Sequence, residues 1–256
     1  MPILTGMQYL INKGSALLLI FLYAHDISGQ ITLKFEHHVN GNHIQYDTLA
    51  HRNKSGNVYE MNQIQYFISD VTLHGNRGKF PISLDANWRY VDKDIPRMML
   101  WHIDDVPAGK YDSISFTFGF SPERNKSYMF RNPPENLMFW PDALGGGYHY
   151  MKLNLKYVNQ AGLLSHFNCH LGVGQTKNAK GVTGFIHNDF QVSLPASFEV
   201  KKGKSVQLNI VMNVERWFDA VHQVDFNHYP RGIMDNQKAM QTFCENGRHV
   251  FDFSLK

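Results

Sequence analysis

Cysteine is scarce in this chain of 256 residues: only Cys169 and Cys244 are present. A disulfide-dense scaffold is excluded, and at most one bridge remains open. The sequence holds no CxxC pair, no HExxH helix and no Cys/His finger, so no compact zinc-type ligand spacing is available. Gly-x-Ser-x-Gly elbows and glycine-rich phosphate loops are missing too, which removes the common nucleophile and nucleotide templates. The adjacent carboxylates Asp104 and Asp105 stand before Pro107, where solvated aspartates of a turn are ordinary. Basic residues are scattered and the formal net charge is only +3. The single cluster, Lys201-Lys202-Gly203-Lys204, suits a hairpin turn better than a phosphate track, so nucleic acid is not an expected partner. Repeats, low-complexity tracts and linkers are absent as well, and no enzymatic activity is expected.

The long hydrophobic run is confined to the N-terminus. Lys13 precedes the apolar stretch Gly14 to Ala24, and the chain turns polar at His25-Asp26. That pattern reads as a secretory signal peptide over residues 1–29, with cleavage expected near Gly29 and a periplasmic or secreted destination. The run is too short for a transmembrane helix. Residues 30–256 then form one domain with no membrane span after cleavage.

Short alternating segments separated by turn residues fill most of the remainder. Ile31 to Phe35 alternates and ends near Asn40-Gly41, a hairpin signal. Asn62 to Leu73 reads as a half-buried strand with Ile64, Tyr66 and Ile68 on one face and Phe67 on the other. Tyr111 to Phe120 carries the clearest period-two pattern, with Ile114, Phe116, Phe118 and Phe120 on one side. Ser165 to Gly172 is another strand, and Phe185 to Leu194 and Ala196 to Val200 are expected as strands on either side of Pro195. Only Glu215 to Phe226 and Asp235 to Gly247, the latter capped by Asp235, suggest helix. The fold class is all-β, an antiparallel β-sandwich with minor helices near the C-terminus.

Candidate functional residues are histidines, methionines and one tryptophan. His37, His149, His166, His170 and His228 lie near expected strand ends or loops, where neutral imidazoles suit copper or zinc. The stretch Met138-Phe-Trp140 to Lys152, with Gly145-Gly-Gly147 inside it, reads as a loop feeding a strand. Such a loop holds a thioether, an indole and an imidazole close together, or serves only as an anchored core turn. Met138, Trp140 and Met234 also read as core filling. A second class of function is a non-metal cell-envelope or glycan-binding module that presents Trp140 and Tyr148 in an exposed groove.

Seven segments in order resemble the MbnP-like family. They are Phe35-Glu-His37-His-Val39, Ile64 to Asp70, Pro107 to Tyr111, Phe116 to Gly119, Met138-Phe-Trp140 with Gly147-Tyr148 and Lys152, Phe167 to Gly172, and His228 ahead of Ile233-Met234-Asp-Asn236. The family is one of exported copper-binding β-sandwiches whose founding member is encoded beside methanobactin biosynthesis genes. The resemblance implies a periplasmic protein that carries or scavenges copper, often paired with a dihaem-peroxidase-like partner that oxidises a tryptophan to kynurenine. By motif it assigns His37, His170 and His228 as metal ligands and Trp140 as the modified residue; beside them, Met138 or Met234 is a candidate thioether donor. The chain departs from the family pattern at Asp70, where Asn is usual, and at Pro141-Asp142.

Overall fold

A computed structural model describes residues 28–76, 78–81, 87–230 and 232–255. Apart from Ser28 and Gly29, the expected leader lies outside the described residues, and those two already belong to the first strand. In chain order the first strands are β1 (Ser28–Val39), β2 (Asn42–His43), β3 (His51–Arg52), β4 (Val58–Gly75), β5 (Gly78–Pro81) and β6 (Trp88–Asp92). Next come β7 (Leu100–Pro107), β8 (Gly109–Phe118), β9 (Met151–Val158), β10 (Leu164–Leu171), β11 (Gly174–Asn178) and β12 (Gly181–Ile186). The chain closes with β13 (Phe190–Val200), β14 (Ser205–Asn213), helix α1 (Arg216–Asp219), helix α2 (Gln237–Gly247) and β15 (Phe251–Leu255).

Two sheets pack face to face, as the alternating pattern requires. The smaller runs β15-β14-β1-β2 with β7 also against β1, and the larger runs β10-β9-β4-β8-β13 with β3, β5 and β6 beside β4. Inward residues of the two sheets meet as ring pairs, Phe35 with Tyr66 at 6.4 Å and Phe116 with Phe251 at 5.2 Å between centroids. The all-β sandwich with minor C-terminal helices is therefore present. Its pairing is antiparallel except at β1 and β14, which run parallel from Gln30 opposite Ser205 to His38 opposite Asn213.

Local chemistry explains where the strands depart from expectation. β13 passes straight through Pro195 instead of breaking there, because it is the edge strand of the larger sheet and its register shifts between Pro195 and Phe198. A bulge on an edge is where a residue without an N–H is tolerated. Asp70 sits inside β4 at a φ of 54°, next to a register shift between Ser69 and Thr72. Asn and Asp both suit that left-handed bend, so the exchange of one for the other keeps the backbone and adds a carboxylate that pairs with Arg124 at 2.8 Å. Further along, α2 is capped by Asn236, whose side chain accepts from the Ala239 amide, and not by Asp235. The helix expected from Glu215 contains one α-turn, α1, and a 3-10 turn at Phe226–His228.

Between these turns the fully buried Asn246 closes the backbone. Its Oδ1 accepts from the amides of Val221 and His222, both at 2.8 Å, and its Nδ2 donates to the carbonyls of Trp217 and His222, both at 2.9 Å. Asn246→Ala would strand four backbone groups at once, and unsatisfied buried groups cost roughly 1–3 kcal/mol each before relaxation or entering water. The variant is expected to lose about 2–4 kcal/mol of unfolding free energy in a denaturant titration.

Candidate metal centre

Phe67 faces away from the sandwich interior, yet it is fully buried. Its ring is covered by Phe120 at 4.7 Å and Phe130 at 5.5 Å, with Tyr148 at 6.4 Å. These rings belong to residues 119–150, which cross the outer face of the larger sheet between β8 and β9. Ordering a segment with so little regular structure needs side-chain anchors. Asn125 supplies one by accepting from the Tyr148 amide at 2.9 Å, and the Tyr148 hydroxyl accepts from the Phe130 amide at 2.9 Å. Gly147 has a φ of 81°, and a Cβ there would lie 2.4 Å from the Asn125 carboxamide, so the third glycine of the triplet is obligatory.

The same segment folds back on itself. The Trp140 amide donates to the Gly147 carbonyl at 2.9 Å and the His149 amide to the Met138 carbonyl at 2.6 Å. Met138, Trp140 and His149 thereby share one turn, and the indole stands edge-on to the imidazole with 4.7 Å between centroids. The indole lies directly on the Gly172 backbone, where a Cβ would be 2.6 Å from a ring carbon. Its Nε1–H donates to the Leu144 carbonyl at 3.2 Å.

His170 reaches this turn from β10. Its ring is 5.0 Å from that of His149, at an interplanar angle of 79°. Each imidazole is fixed by an acceptor. His149 donates from Nδ1 to the Met138 carbonyl at 3.0 Å, which leaves the lone pair on Nε2. His170 donates from Nε2 to Asn154 Oδ1 at 2.8 Å, which leaves the lone pair on Nδ1. The Asn154 amide is oriented in turn by donating to Gln63 Oε1 at 2.6 Å. A carbonyl or amide oxygen behind each ring is the arrangement that sets tautomer and basicity in histidine metal sites.

Both rings are neutral over the ordinary pH range. Burial, reinforced by His170 and Lys152, lowers the pKa of His149 to about 3, and burial together with Lys152 lowers that of His170 to about 4. Lys152 is itself depressed by burial and donates to the Leu137 carbonyl at 2.6 Å. Two neutral imidazoles with free nitrogens, beside a buried methionine and an indole, suit a soft or borderline transition metal.

The remaining candidates lie apart. His37 is on β1 and points into the sandwich, where Nδ1 bonds to the Tyr46 hydroxyl at 2.8 Å and Nε2 to the Tyr66 hydroxyl at 3.4 Å. Tyr66 is on the inner face of β4, whereas His170 is on the outer face of the same sheet, so His37 and His170 do not meet. Both nitrogens of His37 are engaged, and burial lowers its pKa to about 3. His228 is exposed at the end of a 3-10 turn. Met234 is half-buried after Ile233, whose amide donates to the Asn168 carbonyl of β10 at 3.3 Å. Trp140 and Tyr148 are buried and present no exposed aromatic groove. Cys169 and Cys244 are free thiols. His149, one of the five histidines singled out in the sequence, was left out of the ligand set that the family resemblance assigned, yet it is the one that lies beside His170.

Burial of neutral histidines fixes the pH response of the metal-free protein. An unfolded histidine titrates near pH 6.5, while His37, His149 and His170 stay neutral to about pH 3 to 4 when folded. Between those limits the unfolded chain binds more protons, so stability is complete above about pH 6.5 and is lost as pH falls toward 4. Unfolding free energies from urea titrations across pH 4–7 are expected to fall with pH by an amount on the order of a few kcal/mol, and His149→Gln is expected to flatten part of the slope.

Comparison with known proteins places this architecture. A model of the MbnP family matches residues 28–235. The solved structure of MbnP from Methylosinus trichosporium is similar, with a TM-score of 0.55 at 14% sequence identity over 78% of this chain and 80% of that one. No curated protein sequence matches the chain. With the family model spanning nearly every strand of the sandwich, the chain belongs to the MbnP family.

Proposed function

We propose that this protein binds one copper ion between His149 and His170, beside Trp140, and acts as a carrier or scavenger in the periplasm or outside the cell. The observation that carries this reading is the pair of neutral imidazoles, each tied to an oxygen acceptor so that His149 Nε2 and His170 Nδ1 keep their lone pairs. Copper(I) accepts two or three soft or borderline donors, and Met138 in the same turn is the candidate thioether. His37 serves this reading only as a packed core residue, since a metal bond would cost it the Tyr46 or Tyr66 hydrogen bond.

The role is binding and not catalysis, because the groups around the pair are carbonyls, amides and a lysine committed to Leu137. Trp140 is the residue that a dihaem-peroxidase-like partner would convert to kynurenine. Its ring centroid is 4.7 Å from that of His149, so the oxygen and nitrogen exposed by opening the indole would arise beside the proposed ion. The leader and the family support export. No helix among the described residues is long and apolar enough to cross a membrane.

Copper(I) stoichiometry on the purified chain, held reduced, tests the site. One equivalent is expected, with His149→Ala and His170→Ala each weakening binding at least tenfold and His228→Ala leaving it unchanged. Asn154→Leu, which removes only the orienting oxygen, is expected to cost about 10–100-fold in affinity. Undiminished copper in the His149→Ala/His170→Ala double variant would overturn the assignment.

A further inference from the structure

We infer that Glu36, His38 and His43 form a second metal site, on the outer face of the β1–β2 hairpin, for a borderline divalent cation of the zinc(II) type. The three side chains offer a carboxylate oxygen and two ring nitrogens, all within 4.8 Å of one another. They are brought together by regular geometry. Glu36 and His38 are two residues apart on one strand and so share the face opposite the core residues Phe35, His37 and Val39. His43 is the direct cross-strand partner of His38, and the two rings are 4.5 Å apart between centroids. The loop between them, Asn40-Gly41, has positive φ at both residues, 51° and 77°, the two-residue turn that locks a hairpin register.

A second observation points to a missing partner. His38 Nε2 is closed off from solvent and makes no hydrogen bond. It stands 3.3 Å from Glu36 Oε2 without the alignment a hydrogen bond needs, an arrangement that a shared cation satisfies. In a tetrahedral site with metal–donor bonds of 2.0–2.1 Å, donors lie about 3.3 Å apart, which matches this pair. The exposed His43 has the freedom to close the third edge by a small ring rotation. Glu36 Oε1 is held separately by Lys34 at 2.6 Å, so the carboxylate is fixed by an outer-shell cation while Oε2 stays available. Two imidazoles and one carboxylate leave a fourth position open. It borders a cavity of about 370 Å³ lined in part by Glu36, His43, Lys93 and Met99, where water or a small anionic ligand can complete the coordination.

This site shares no residue with the copper site, and the two are separable by experiment. Zinc(II) alone is titrated calorimetrically into the full chain carrying His149→Ala and His170→Ala. One saturable zinc is expected to remain, and adding His43→Ala or Glu36→Gln is expected to weaken it at least tenfold. In the otherwise unmodified chain, His43→Ala is expected to leave the copper stoichiometry intact, which shows at once that the fold is retained. Zinc affinity unaltered by both His43→Ala and Glu36→Gln, or no saturable zinc in the double-variant background, would overturn the site whatever the outcome for copper.

Discussion

The rest of the molecule depends on one constraint: β4 is buried on both faces through Tyr66 to Ser69. Tyr66 and Ile68 are covered by the opposing sheet, but Phe67 and its neighbours Trp88 and Tyr90 need a cover of their own. Burying a ring of that size is worth roughly 2–3 kcal/mol relative to leaving it wet. The cover is the long connection between β8 and β9, held by aromatic contacts and by Asn125 and not by a ladder of its own. The candidate copper residues are carried by this cover and by the strand beneath it, so packing of a hydrophobic surface brings them together as a by-product.

At the proposed copper site, selectivity would follow from burial as much as from ligand identity. A histidine in water is protonated part of the time and pairs readily with any anion. Under the cover, His149 and His170 pay for desolvation by remaining neutral, and Lys152 nearby disfavours further positive charge. A monovalent, weakly hydrated ion loses less on entering such a place than a hard divalent one. The hairpin cluster on β1 and β2 is the converse case, half-open and equipped with a carboxylate, and it suits a cation that carries more charge.

Much of this was legible in the sequence. Alternation located β4, β8 and β10, and the Trp140 and His170 motifs were assigned to the site that the structure does bring together. The rest was hidden for identifiable reasons. His37 sits in as suggestive a motif as His170, but Tyr46 and Tyr66 engage its two nitrogens, the latter from another strand across the core, a contact no local pattern reveals. His149 looked like one step of a strand alternation, whereas it precedes β9 and turns toward Met138 because the glycines let the segment double back. Pro195 read as a break because its edge position was unknown.

The parallel pairing of β1 with β14 has a consequence for how the molecule comes together. β7 and β14 flank β1 as chain-distant neighbours, Ser28 opposite Pro107 on one side and Gln30 opposite Ser205 on the other. Closing loops of that length carries an entropic toll that local hairpins avoid. The larger sheet meets the same toll where β4 pairs with β9, Tyr59 lying opposite Tyr157, so neither sheet closes from local hairpins alone. The turn bearing Trp140 and His149 and the strand bearing His170 are close in sequence, so these three side chains meet without a long loop closure. The hairpin cluster rides on β1, which is held from both sides by strands distant in the chain.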